Sequence, residues 1–216
     1  MMRATDGSGA ARPLALAVLG DSIAYGQGAD RPDDAPGPRL AAGLREAGTP
    51  VSLTVHAVPG ARSIALAAQV RSALAGRAEV ALVIIGANDV THFVPVEQSV
   101  SLLGEAVRDL RAAGTQVVVV PAPDLSAVPW VPVPFRPLVR AASEGLRTQQ
   151  SRVALREGAR VAHVDALHDR FAADVGLFSG DRFHPSSRGY ALIAQALLPA
   201  LTAAAVDALA ARDASA

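Results

Sequence analysis

"LALAVLGDSIAYGQG", residues 14–28, is an apolar run that stops at Gly20 and gives way to an acidic residue and a serine. A short apolar run closed by glycine reads as a buried β-strand. Three more apolar, β-rich runs follow, "VSLTVHAV" at 51–58, "VALVIIG" at 80–86 and "QVVVVPAP" at 116–123, and a weaker one, "ARVAHVDA", lies at 159–166. The runs at 80–86 and 116–120 are continuously apolar rather than alternating, as parallel strands covered on both faces are.

Segments of helical period separate these runs. "GPRLAAGLREAGTP" spaces Leu40 and Leu44 four apart ahead of Gly48, a C-terminal stop. "SIALAAQVRSALAG" brings Ile64, Ala67, Ala68 and Val70 near one face before Gly76. "VEQSVSLLGEAVRDLRAAG" puts Val96, Val100, Leu103, Val107 and Leu110 on one stripe ending at Gly114. Residues 138–157 read as another helix. The C-terminal stretch carries Tyr190, Ile193, Leu197 and Leu201 on one side, with Pro199 expected to kink or split it. Strands alternating with helices imply right-handed βαβ crossovers, and so a three-layer α/β/α sandwich with about five parallel strands. Residues 1–216 read as a single domain with loose tails at 1–12 and about 210–216.

Composition excludes several functions. Twenty basic residues, all arginine, balance twenty acidic ones and form no basic run, so nucleic acid is not an expected partner. The absence of cysteine removes disulfides, thiolate catalysis and cysteine-bound metals. His92, His163 and His168 lack metal-ligand spacing. "MMRATDGSGAARP" is small and polar, and Leu14–Leu19 is too short for a leader's apolar segment or a membrane span. The expectation is a cytoplasmic chain with no membrane span, or a secreted one if a leader has been removed; oligomeric state is not legible.

In a parallel α/β sheet, ligands bind beyond the carboxyl ends of the strands. Gly20-Asp21-Ser22 follows the first run, Pro59-Gly60-Ala61 the second and Gly86-Ala87-Asn88-Asp89 the third, while Asp181-Arg182-Phe183-His184-Pro185 precedes the last helix. Acyl transfer by serine needs a nucleophile, a base, a group that orients the base, and donors aimed at the developing oxyanion. Ser22, His184 and Asp181 supply the first three. The N–H groups of Ser22 and Gly60 and the amide of Asn88 supply the donors. Each residue also has a plainer reading: Ser22 as a helix N-cap, Gly60 as a turn glycine, Asn88 as a capping residue. Their joint order favours the chemistry, with Asp21 supporting the turn and Asp89 structural. The segment 121–138 holds six prolines and reads as a long loop. Its Trp130 and Phe135 are candidate walls of an acyl pocket, and Arg182 is a candidate substrate contact at the rim.

These four blocks, in this order, resemble the SGNH hydrolases, also called GDSL-type esterases and lipases, over residues 15–200. The resemblance implies a flavodoxin-like fold, a Ser22–His184–Asp181 triad and an oxyanion hole of Ser22, Gly60 and Asn88. It further implies hydrolysis of small-molecule esters, of short acyl or acetyl groups, through an acyl-serine and without metal or organic cofactor. The chain departs from the family pattern at His56 and Pro59, ahead of Gly60, and at Arg182. The GxSxG elbow of the α/β-hydrolases is absent. A carbohydrate or thioester deacylase or an acyltransferase on the same site stays open, as does a non-catalytic binding module.

Overall fold

The computed structural model describes residues 12–215, so the first eleven residues of the expected N-terminal tail, and Ala216, lie outside it. Strands β1 (Leu14–Gly20), β2 (Val51–Val55), β3 (Val80–Ile84), β4 (Gln116–Val120) and β5 (Arg160–Val161) form one parallel sheet in the order β2-β1-β3-β4-β5. That is the flavodoxin-like order, whose switch point lies between β1 and β3. The register pairs Gly20 with Ile84, so β1 and β3 end level at the ligand-bearing edge.

Successive strand residues face opposite sides and each side has its own core. Leu14, Leu16 and Val18 of β1 pack with helices α2 (Pro36–Glu46) and α8 (Ser187–Ala214). Ala17 and Leu19 pack with α3 (Leu66–Ala75), α5 (Val96–Ala112) and the C-terminal half of α6 (Arg136–Arg156). Three short helices complete the ligand-bearing edge: α1 (Ser22–Tyr25), α4 (Ala87–Thr91) and α7 (His168–Ala173).

Four expectations are corrected. Helix α8 is not split at Pro199 but runs unbroken for 28 residues. Pro199 and Gln195 are both exposed, so the Gln195 carbonyl that the proline leaves without a partner faces water. The loose tail expected from about 210 is instead helical to Ala214, because the Arg212 guanidinium donates to both Glu79 oxygens, at 2.8 and 2.6 Å. Strand β5 is two residues long, not eight; it pairs Arg160 with Val118 and Val161 with Val119, and the Arg160 side chain meets Asp207 of α8. The buried stripe of α3 is Leu66, Gln69, Val70 and Ala73, whereas Ile64, Ala67 and Ala68 face solvent. A glutamine draws that helix inward, for a reason found in the site. Helix α8 is long and apolar enough to cross a membrane, with a mean hydropathy of 1.7, yet its apolar stripe Tyr190, Ile193, Leu197 and Leu201 is buried against the sheet.

Candidate active site

The strand-to-helix turn after β1 exists because Gly20 permits it. Its φ is +136°, and a Cβ there would lie 1.8 Å from the Ile84 carbonyl oxygen. That carbonyl accepts the Asp21 N–H at 3.2 Å and ties the turn to the end of β3. The Asp21 carboxylate caps α1 by accepting the Ile23 N–H at 2.9 Å. Ser22 is therefore the first residue of a helix, its side chain presented at the edge and the residue only 4% exposed.

His184 reaches it from the loop before α8. His184 Nε2 lies 2.9 Å from Ser22 Oγ, and His184 Nδ1 lies 2.6 Å from Asp181 Oδ2. The tautomer that satisfies both contacts has Nδ1–H donating to the carboxylate and Nε2 accepting from the serine hydroxyl. Asp181 Oδ1 accepts from the Ser179 hydroxyl at 2.7 Å and from the N–H groups of Phe183 and His184 at 2.8 and 2.9 Å. Partial burial pushes the Asp181 carboxyl upward, but the His184 ring and these donors outweigh it and hold it well below the usual carboxylate range. Asp181 thus remains an anion beside the imidazole.

The turn carrying Gly60 is well defined. The Ala61 N–H donates to the Val58 carbonyl at 3.0 Å, and Gly60 has φ +78°, as the third residue of a type II turn whose second residue is Pro59. Pro59 therefore shapes the turn. The Asn88 amide donates to the Ala61 carbonyl at 3.0 Å, locking the β2 turn to α4 and leaving its second N–H free for a ligand. Asp89 holds α4 from beneath, accepting from the Ser63 N–H at 3.1 Å, the Ser63 hydroxyl at 3.1 Å and the Ser99 hydroxyl at 2.9 Å.

Two buried glutamines escaped the sequence reading. Gln69 Oε1 accepts the Gly20 N–H at 2.6 Å and its amide donates to the Gly20 carbonyl at 2.9 Å, which is what turns α3 inward. Gln150 Oε1 accepts the Ala122 N–H at 2.8 Å and its amide donates to the Ile85 carbonyl at 3.2 Å. Each satisfies backbone groups at a strand end that would otherwise be buried without partners. The available signal was a polar residue on an apolar stripe: Gln150 sits four residues after Leu146 and three before Val153.

The remaining candidates divide. Trp130 stacks on Phe183 with ring centroids 5.5 Å apart, and Phe183 meets His184 edge-on at 4.8 Å, so Trp130 touches the triad through one intermediary. Phe135 is 58% exposed and joins nothing at the site. The proline-rich loop turns Leu125, Val128 and Val131 inward against Ala87 and Phe178, which leaves Phe135 on its outer face. Arg182 is exposed, at φ +55° in a turn where its N–H donates to the Ser179 carbonyl.

Asp21 is 1% exposed and one of its oxygens has no hydrogen-bond partner. Burial, only partly offset by the N–H groups of Ile23, Ala24 and Ala87 and reinforced by the nearby Asp89 charge, pushes it up to about 7. A carboxyl raised on folding stabilises the fold while it is neutral, fully below its ordinary value, and that stability is lost as pH rises through the folded value. An Asp21→Asn variant should therefore gain stability relative to the parent between about pH 4 and about pH 7, as read by denaturant unfolding at several pH values. A difference that does not change with pH would count against this account.

Comparison with known proteins agrees with the geometry. Residues 18–192 match the model of the GDSL-like lipase/acylhydrolase family. A GDSL-like esterase of Mycobacterium tuberculosis (strain ATCC 25618 / H37Rv) is 36% identical over 199 residues, covering 90% of this chain; the chain spans 63% of that protein's length. Among solved structures, an acetyl xylan esterase of Geobacillus stearothermophilus shares the fold at 15% identity and a TM-score of 0.72, over 87% of this chain and 94% of the other. A psychrotrophic esterase of Pseudoalteromonas sp. does so at 17% identity and a TM-score of 0.68, over 86% and 95%. With a family match running from β1 into α8 over all four blocks, the chain belongs to the GDSL-like lipase/acylhydrolase family.

Proposed function

We propose that this protein is a serine esterase that cleaves carboxylic esters through an acyl-serine intermediate. One observation carries the reading: Ser22 Oγ, His184 and Asp181 form a continuous hydrogen-bonded chain at 2.9 and 2.6 Å. In the first step Ser22 Oγ attacks the ester carbonyl while its proton passes to His184 Nε2. Asp181 keeps the other nitrogen protonated and stabilises the imidazolium. The oxyanion is met by the Ser22 and Gly60 N–H groups and the free N–H of Asn88, a preorganised set of which one donor is typically worth about 3–4 kcal/mol. His184 then protonates the departing alcohol, and water repeats the sequence on the acyl-enzyme.

Relatives support the reading. The Geobacillus enzyme is described as an acetyl xylan esterase with a serine-to-alanine catalytic mutant, and the Pseudoalteromonas enzyme has been solved inhibited by monoethylphosphonate. Short acyl esters, acetate among them, are the simplest substrates for an edge of this kind. The test is pre-steady-state hydrolysis of p-nitrophenyl acetate. A burst of p-nitrophenol equal to the enzyme present is expected when deacylation is slower than acylation, and the absence of both burst and turnover would overturn the reading.

A further inference from the structure

A cavity of about 370 Å³ lies beside the triad, yet neither Ser22, His184 nor Asp181 lines it. Their sequence neighbours do: Ile23 follows the serine, and Phe183 and Pro185 flank the histidine. The floor is made by the ends of β3 and β4, Ile84 and Val120, together with Ile193 of α8; Leu125 and Val128 of the proline-rich loop form a wall. The volume falls within the ~300–1,000 Å³ of small-molecule sites.

The charged groups on its lining are largely matched to one another. The Arg140 guanidinium lies 3.2 Å from Asp124 and donates to His168 Nε2 at 2.7 Å, and that of Arg147 lies 3.1 Å from Asp165. The two other acids on the lining, Glu144 and Asp169, are exposed. Such a lining offers apolar contact to an uncharged chain, and it presents an anion with surplus negative charge. Phe183, in contact with both Trp130 and His184, lines the cavity on the side of the triad.

During the reaction the alcohol must leave to solvent, whereas the acyl group stays attached to Ser22. A largely apolar hollow next to Ile23 therefore suits the acyl half. A methylene takes about the room of one water, ~30 Å³, so the cavity holds at most about twelve such groups, and with imperfect packing roughly six to ten. Resting on the serine-esterase reading, we propose that this cavity binds an uncharged, medium-length acyl chain that enters past Phe183. The site's range then extends beyond the acetyl and short acyl esters that the family resemblance implies.

The experiment compares kcat/KM of the full chain for p-nitrophenyl acetate, hexanoate and octanoate, and for mono-p-nitrophenyl suberate, an octanoate ending in a carboxylate. Octanoate should exceed acetate by about tenfold or more, since each buried methylene is worth up to roughly fourfold, and suberate should lose that gain. Val128→Trp, which fills the cavity from the loop, should lower the octanoate-to-acetate ratio about tenfold. Ala127→Leu, a smaller intrusion from the same lining, should move the ratio the same way and serves if the tryptophan does not fold. Octanoate no better than acetate, suberate equal to octanoate, or ratios unmoved in a folded variant would overturn the proposal while leaving the esterase reading intact. Retention of acetate hydrolysis by Ser22→Ala would overturn the esterase reading itself.

Discussion

Ser22→Ala should lower kcat/KM for p-nitrophenyl acetate by a factor of about 10⁴ or more while leaving the thermal transition within a degree or two of the parent. The activity loss is large because the triad acts as a unit: without Oγ, His184 has nothing to activate and Asp181 nothing to orient. The stability cost is small because the hydroxyl makes a single side-chain contact, the one to His184, while the helix it starts is capped by Asp21. The backbone N–H of residue 22 survives the substitution, so substrate should still bind, and the loss should appear in kcat rather than in KM. His184→Ala should cost a similar factor. Combining the two should cost little more than either alone, and additive losses would indicate that the residues work separately.

The second large effect concerns stability. Gly20→Ala should destabilise the fold by about 3–5 kcal/mol, lowering Tm by roughly 6–20 °C, at the upper end of single-substitution effects. The added Cβ would lie 1.8 Å from the Ile84 carbonyl oxygen and 2.7 Å from its carbon, both backbone atoms that cannot swing away, at a φ of +136° that alanine rarely adopts. Relief requires β1 to move from β3, breaking the Asp21-to-Ile84 bond and disturbing the grip of Gln69 on the Gly20 peptide. Because that movement displaces Ser22 from His184, activity should fall before the protein unfolds. A folded Gly20→Ala variant with parental Tm and activity would show that the turn is less constrained than these contacts require.

Much of this was legible in the sequence for identifiable reasons. The central strands are continuously apolar and end in Gly20, at the close of β1, and Gly86, just past β3, so their number and parallel direction could be read from pattern, while the flavodoxin-like order came from the family resemblance. Three site blocks follow strand ends, where a parallel sheet gathers ligands, and the fourth precedes the last helix, and this is why Ser22, Gly60, Asn88 and His184 could be singled out across 160 residues of chain. What escaped depends on partners distant in sequence. Gln69 and Gln150 are buried because strand-end peptides need them, and hydropathy alone assigned the wrong face of α3. Pro199 is tolerated because it falls on the wet face of α8. The inward residues of the proline-rich loop could not be told from Trp130 and Phe135 before Ala87 and Phe178 were known to face them.

The most direct test of the central claim is mass spectrometry of the protein after treatment with an activated monoethyl alkylphosphonate ester. The account predicts one adduct per chain, located on the peptide that contains Ser22, with activity lost in proportion to labelling and no adduct on Ser22→Ala. An adduct at another serine, or equal labelling of Ser22→Ala, would contradict it.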